Sequence, residues 1–273
     1  MAAAADTDAG LAERLAAALE AAYLAGRVTL RYFQTGVQPE WKADATPVTV
    51  ADREAETEIR GCLGRWFPDD GLAGEEFPEK RSRSGFRWII DPIDGTKSFV
   101  HGVPLYGVLL ALEGPEAVEL GVVHMPALGE TVWARRGAGS WWNGRRARVS
   151  TVARLEDACL CYTSSTSFLA QQRQEQWSRL TAKARLVRGW GDCYGHLLVA
   201  TGRAEASFDP AMKPWDCGPL LPILTEAGGT FTDWRGQATI YGPDAFSTNG
   251  ALFGQILGEL QGQRGGQGPA DQA

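Results

Sequence analysis

The chain has 273 residues, 22% charged and 44% hydrophobic, and its 27 Lys and Arg against 33 Asp and Glu leave a net charge of −6. Packed as one body, a chain of this length buries roughly 73% of its extended surface, which excludes a marginal mini-protein, and the ordinary charge content excludes a disordered chain. The balance is too acidic for a nucleic-acid partner, and no basic stripe with interleaved aromatics is present.

The N-terminal stretch carries Asp6, Asp8 and Glu13 before any apolar run and has no basic leader, so no secretory signal is expected. No window approaches 18 uninterrupted apolar residues, so no membrane span is expected either. Leu11, Leu15, Leu19, Tyr23, Leu24, Val28 and Tyr32 recur at three- and four-residue steps and predict one long amphipathic helix over about residues 8–33. A second helix is expected from Thr49, which stands three residues before Asp52 as in a capping box, with Ala55, Ile59, Cys62, Leu63 and Trp66 on one face. Residues 67–71, Phe-Pro-Asp-Asp-Gly, stop it.

Residues 86–91, 105–113 and 117–126 are short β-rich runs separated by Gly and Pro, extended by 130–134 and 144–149. They predict an antiparallel sheet with helices on one side. Trp141-Trp142-Asn143-Gly144 resembles a hairpin with Asn-Gly as its turn. The second half alternates: 158–164 strand, 167–184 helix, 185–190 strand, 192–204 helix, 205–210 strand, 217–228 helix. That order predicts an α/β half with crossover connections. The Gly/Gln/Pro-rich residues 262–273 read as a disordered tail. The expected organisation is one catalytic unit of two lobes, 1–150 and 151–261.

Five cysteines, Cys62, Cys159, Cys161, Cys193 and Cys217, are an odd number without C-x-x-C spacing, which argues against a disulfide framework or a zinc site and favours a reducing cytoplasm. Cys159 and Cys161 alternate along a strand and so face one way, and thiolates there would suit soft metals only. His101, His124 and His196 are scattered and read as structural side chains.

Chemistry concentrates in residues 88–99. An apolar strand delivers Asp91 to its end, Pro92 forbids further ladder pairing, and Asp94-Gly95-Thr96 forms a turn able to open a helix. Two carboxylates three residues apart beside free N–H groups can hold a hard divalent cation and a phosphate together. Read alone, the same residues are also a turn with two capping acids, Glu75 and Glu76 a solvated loop, and Asp216 a helix N-cap.

The set Asp91-Pro-Ile-Asp-Gly-Thr96, Gly74-Glu75-Glu76, Pro47-Val-Thr-Val-Ala-Asp52 and Trp215-Asp216 followed by Glu226-Ala-Gly-Gly229 resembles the inositol monophosphatase family of magnesium-dependent, lithium-sensitive phosphatases. The resemblance spans about residues 42–249. It implies a layered αβαβα sandwich of the inositol monophosphatase and fructose-1,6-bisphosphatase type, mixing α+β and α/β halves, and a dimer. It further implies that Glu75, Asp91, Asp94, Asp216 and the carbonyl of Ile93 ligate two or three Mg²⁺, that Thr96 and Glu75 position and activate the attacking water with Asp52 nearby, and that Gly95 and Thr96 offer N–H groups to the phosphate. Carboxylates retained at every ligand position speak against a non-catalytic scaffold.

Lys97-Ser98-Phe99, Gly102-Val-Pro-Leu-Tyr-Gly107 and Gly189-Trp-Gly-Asp-Cys-Tyr-Gly195 resemble the histidinol-phosphate phosphatase branch. Histidinol phosphate carries an ammonium group and an imidazole, so its pocket should hold acids beyond those the metals use. The resemblance places Asp192 and Asp209 on the substrate side. Read locally, Asp192 is also a helix N-cap and Asp209 an Asp-Pro turn. The branch implies hydrolysis of histidinol phosphate in histidine biosynthesis; the alternatives are an inositol-1-monophosphatase or a broad sugar-phosphate phosphatase on the same site.

Overall fold

The structure, a computed structural model, describes residues 2–43 and 46–262. In chain order the elements are α1 (Ala2–Leu30), β1 (Glu40–Trp41), β2 (Pro47–Val48), α2 (Val50–Trp66), β3 (Gly71–Gly74), β4 (Arg87–Asp94), α3 (Thr96–Val100), β5 (Gly107–Glu113), β6 (Val118–Met125), β7 (Glu130–Arg135), β8 (Gly139–Trp142) and β9 (Arg145–Arg146). After these come β10 (Cys159–Tyr162), α4 (Ser165–Ala170), α5 (Gln174–Thr181), β11 (Leu186–Arg188), α6 (Asp192–Ala200), β12 (Ala206–Asp209), α7 (Pro214–Cys217), α8 (Leu220–Glu226), β13 (Thr230–Thr232), β14 (Ala245–Thr248) and α9 (Phe253–Gln261). Apart from Gly262, the expected tail lies outside the described residues. No described helix is long and apolar enough to cross a membrane.

Two sheets organise the molecule. Seven strands run in the order β3-β4-β5-β6-β7-β8-β9, antiparallel except for the parallel pair β3 and β4. Five run in the order β11-β10-β12-β14-β13, with β10 parallel to both its neighbours. The central strands are buried on both faces, which is why β5 reads as an unbroken apolar run. Val108, Leu110 and Leu112 face α1 and α2, whereas Leu109 and Ala111 face the cluster built by α6, α7 and α8. Each such large side chain stabilises the fold by about 1.5–3 kcal/mol when removed from water. The far side of the second sheet buries Leu160, Phe208 and Phe246 against Phe168, Trp177 and Leu180 of α4 and α5 and Ile256 and Leu260 of α9. The result is five layers, helices, sheet, helices, sheet, helices.

Four expectations need correction. Helices cover both faces of the first sheet, because α7 and α8 return from the second half of the chain to pack on it. Pro92 does not end its strand: β4 runs on to Asp94 through an irregularity that pairs Asp91 with Leu109 and Asp94 with Gly107, and a bulge is where a strand tolerates a residue without an N–H. The helix expected over 167–184 is two, α4 and α5, broken where Gln172 takes a φ of 56°. The strand extension over 144–149 shrinks to β9, whose hairpin with β8 turns at Asn143 and Gly144, both with positive φ, as a two-residue type I′ loop requires.

Candidate active site

Three carboxylates from two distant stretches of chain meet where the layers join. Asp91 and Asp94 come from the irregular end of β4, and Asp216 from the first turn of α7; each offers an oxygen such that all three lie within 4.8 Å of one another. Asp216 is held by its own helix start, its Oδ2 accepting the Lys213 N–H at 2.8 Å, so the capping role and the site position coexist. Asp91 is 1% exposed and its Oδ1 accepts the Ile93 N–H at 3.0 Å. Asp94 Oδ2 accepts the Cys193 N–H at the start of α6 at 2.5 Å, which ties β4 directly to the second half of the molecule.

Burial, and then the repulsion of Glu75, Asp94, Asp216 and Asp52, push Asp91 well above the usual carboxylate range. Burial with Asp192 and Asp216 does the same to Asp94. Asp216 is pushed up to about 7, first by burial and then, against the Lys213 N–H, by Glu75 and Asp209. An all-oxygen donor set that resists charging by itself matches a hard divalent cation, whose charge reverses the penalty. The residues present therefore fit a metal of that class.

Glu75 is not a member of this triplet. It lies on the loop after β3, with its N–H donating to Ile90 O at 3.2 Å, and its Oε1 takes the Lys42 ammonium at 2.8 Å. Lys42 also reaches Glu76 Oε1 at 2.6 Å; burial opposes its charge, but the two glutamates outweigh it and raise the ammonium above its ordinary range. Behind the loop stands Glu56 of α2, fully buried, accepting the Glu76 N–H at 2.8 Å and Arg60 Nε at 2.7 Å. Arg60 Nη2 donates to Phe77 O at 3.1 Å. Gly74 lacks a side chain for a concrete reason: a Cβ there would stand 2.0 Å from Glu56 Oε1.

Asp52, one helical turn before Glu56, closes the capping box of α2. Its Oδ2 accepts the Thr49 N–H and hydroxyl at 2.7 Å each, and its Oδ1 lies 3.5 Å from Thr96 Oγ1. Burial, opposed by those Thr49 bonds and reinforced by Glu76 and Glu75, lifts Asp52 to about 7. Thr96 Oγ1 also donates to Ile93 O at 3.0 Å. Gly95 opens α3 with a φ of 82°, and a Cβ on it would lie 2.9 Å from Leu105 O and 3.2 Å from Asp192 Oδ2, so glycine is required twice over.

Beside the triplet is a cavity of about 90 Å³ lined by Asp94, Asp192, Asp209 and Asp216 together with Thr163 and Met212 among others. Asp192 is the first residue of α6, not its N-cap, which is Gly191, and it is held in the left-handed region at φ 52° with its N–H on Thr163 Oγ1 at 2.7 Å. Strain of this kind in a non-glycine residue persists only where the surroundings enforce it. Burial, then Asp209 and Asp216, raise Asp192 to about 7. Asp209 ends β12, its Oδ2 3.0 Å from Nε2 of the fully buried His196.

The ten residues expected at the site thus lie in one region, Asp91, Asp94 and Asp216 as one cluster with Glu75 outside it. Sequence reasoning missed Lys42, Glu56 and His196. For Glu56 a signal existed: an acid four residues after Asp52, on a face otherwise made of Ala55 and Ile59.

A profile of the inositol monophosphatase family matches residues 11–262. The chain is 49% identical over 245 residues to a histidinol-phosphatase of Chlorobaculum parvum, covering 89% of this chain and 95% of that one. It is 39% identical over 236 residues to a histidinol-phosphatase of Mycobacterium tuberculosis, covering 85% and 91%. Among solved structures it superposes on an IMPase of Thermotoga maritima with a TM-score of 0.84 at 31% identity, over 92% of this chain and 98% of that one. The chain belongs to the inositol monophosphatase family of metal-dependent enzymes and is a phosphatase acting on phosphoric monoesters.

Proposed function

We propose that the enzyme hydrolyses L-histidinol phosphate to L-histidinol and inorganic phosphate with Mg²⁺ as cofactor. The observation that carries this reading is the pair Asp192 and Asp209 on the cavity beside the triplet, two carboxylates beyond those a metal centre uses. A carboxylate at Asp209 can also serve a polyol by accepting from its hydroxyls, but the additional carboxylate at Asp192 suits an amino-alcohol phosphate better, which brings an ammonium group and an imidazole to balance it. The names of the two relatives at 49% and 39% identity support the same choice.

In this reading Asp91, Asp94, Asp216, Glu75 and the Ile93 carbonyl hold the cations. Bound there, two or three Mg²⁺ supply Lewis-acid stabilisation of the phosphoryl oxygens and a lower pKa for the attacking water. The chain supplies the rest. The N–H groups of Gly95 and Thr96 face the phosphate, and Thr96 Oγ1 with Glu75 holds the water in line. Its proton passes to Thr96 Oγ1 as the Thr96 hydroxyl hydrogen turns from Ile93 O to Asp52 Oδ1, 3.5 Å away, while the phosphorus–oxygen ester bond breaks and the departing histidinol oxygen takes a proton from solvent water. A carboxyl lifted to about 7 is suited to accept it near neutral pH.

The same reading includes a cytoplasmic homodimer and lithium-sensitive turnover. Light scattering and a lithium titration check the last two. The decisive experiment is phosphate release from histidinol phosphate, inositol 1-phosphate, fructose 1,6-bisphosphate and an adenosine bisphosphate, each with and without Mg²⁺. A kcat/KM for histidinol phosphate at least about tenfold above the others is expected, a difference of about 1.4 kcal/mol in transition-state binding. Preference for inositol 1-phosphate or fructose 1,6-bisphosphate would replace the substrate.

A further inference from the structure

We infer that His196 is a positioning residue for substrate recognition: through a Ser247–His196–Asp209 chain it fixes which oxygen of Asp209 is presented to the ammonium group of the substrate. The inference rests on the cationic substrate argued above. It starts from helix geometry. Asp192 opens α6 beside the cavity, and His196 follows four residues later, so both lie on one face of the helix. That face meets the end of β12, where Asp209 stands, and β14, where Ser247 lies opposite Ser207 in the ladder.

His196 is fully buried, with Ser247 Oγ 2.8 Å from Nδ1 and Asp209 Oδ2 3.0 Å from Nε2. A carboxylate only accepts, so Nε2 carries the hydrogen and donates, and Nδ1 pairs with the Ser247 hydroxyl. Phe231 packs edge-on against the imidazole at 5.6 Å between centroids and prevents it from swinging. The orientation of the Asp209 carboxylate is therefore set from behind. Oδ2 is taken, and among the described residues no protein donor is bonded to Oδ1, while Asp209 borders the cavity.

The surroundings make a purely structural imidazole an expensive choice. His196 is fully buried against Phe231 on a helix whose next residues, Leu197 and Leu198, belong to the apolar core, so its two ring nitrogens are polar atoms that had to be satisfied there. A fully satisfied polar chain in such a place rigidifies whatever it ends on. Here it ends on a carboxylate at the substrate cavity. Asp192 Oδ and Asp209 Oδ1 are then two fixed acceptors for one primary ammonium, which can donate three hydrogen bonds.

The test compares histidinol phosphate with glycerol 2-phosphate, which has no cationic group, using His196→Leu, His196→Gln and Ser247→Ala. For His196→Leu the KM for histidinol phosphate is expected to rise about tenfold, the scale of one lost charge-assisted hydrogen bond, with kcat within about twofold. The KM for glycerol 2-phosphate stays unchanged. His196→Gln, which keeps a donor, recovers most of the loss, and Ser247→Ala gives a rise of about threefold in the same KM alone. Equal losses on both substrates, or no change in the histidinol phosphate KM of a folded variant, overturn the inference. If His196→Leu does not fold, an unaltered KM in Ser247→Ala overturns it alone. Failure of the unsubstituted enzyme to prefer histidinol phosphate instead overturns the substrate reading, a result seen before any variant is made.

Discussion

Glu56→Gln should damage the metal centre without touching it. In the native protein Glu56 is fully buried and serves two donors, the Glu76 N–H at 2.8 Å and Arg60 Nε at 2.7 Å. Gln keeps the shape and one acceptor but loses the charge, so the bond to the 17%-exposed Arg60 guanidinium becomes an ordinary one. Weakening one buried charge-assisted bond costs about 2 kcal/mol, and at roughly 2–4 °C per kcal/mol for a chain of this size the melting midpoint in EDTA should fall by about 4–8 °C. The loop that Glu56 supports carries Glu75. If about a third of that energy is felt there, Mg²⁺ binds about threefold more weakly, which titration calorimetry reads directly and independently of turnover. A variant that melts with the native protein and binds Mg²⁺ with the native Kd would refute the view that α2 sets the position of the Glu75 loop.

Three further outcomes are expected. Asp94→Asn should lower kcat by about a thousandfold or more on every substrate, because it takes the charge from a proposed cation ligand and leaves a single acceptor oxygen to serve both the cation and the Cys193 N–H; a phosphate-release assay retaining a tenth of the native rate would remove Asp94 from the metal centre. Asp192→Asn should raise the KM for histidinol phosphate about tenfold while leaving glycerol 2-phosphate alone, and equal losses would remove Asp192 from specificity. The third concerns pH. Asp52, Asp192 and Asp216 stand near 7 in the fold, against an unfolded value of about 3.9, so between these limits the folded chain binds more protons than the unfolded one. Their contribution is complete below about pH 4 and is lost as pH rises through about 7. Melting in EDTA should therefore decline from pH 5 to pH 8, and the increment from Mg²⁺ should grow over the same window; an increment that shrinks would contradict the assignment.

Local chemistry was legible from the sequence wherever a short stretch decides its own structure. The capping box of Thr49 and Asp52 and the Asn143-Gly144 hairpin depend on neighbours a few residues away. Elements that depend on distant partners were not. Pro92 looks like a strand end until Leu109 and Gly107 supply the bulged register that accommodates it. Helices on one side of the sheet was a reasonable expectation for residues 1–150 taken alone, since α1 and α2 do cover one face; the other is covered by α7 and α8 from beyond residue 213. Strands β13 and β14 and helix α9 went unread because they are short or lack a distinctive period, and packing decides them. At the site the acids were readable from their motifs, yet what holds them was not. Lys42, Glu56 and His196 belong to no motif considered, and each acts by a contact with a residue far away in sequence.

Asp91 and Asp94 are made early in synthesis and Asp216 late, so the donor triplet is divided between the two halves of the growing polypeptide. A nascent chain released from the ribosome before α7 has only two of the three oxygens, although the Cys193 N–H that holds Asp94 is already made. It can dock β4 against β5, but it has no complete nest for a cation. On the proposed metal centre, a complete donor triplet is thus a property of the finished molecule. A fragment ending before Asp216 would offer a cation only the two oxygens of β4, whereas the longer chain would hold it as a clasp between β4 and α7.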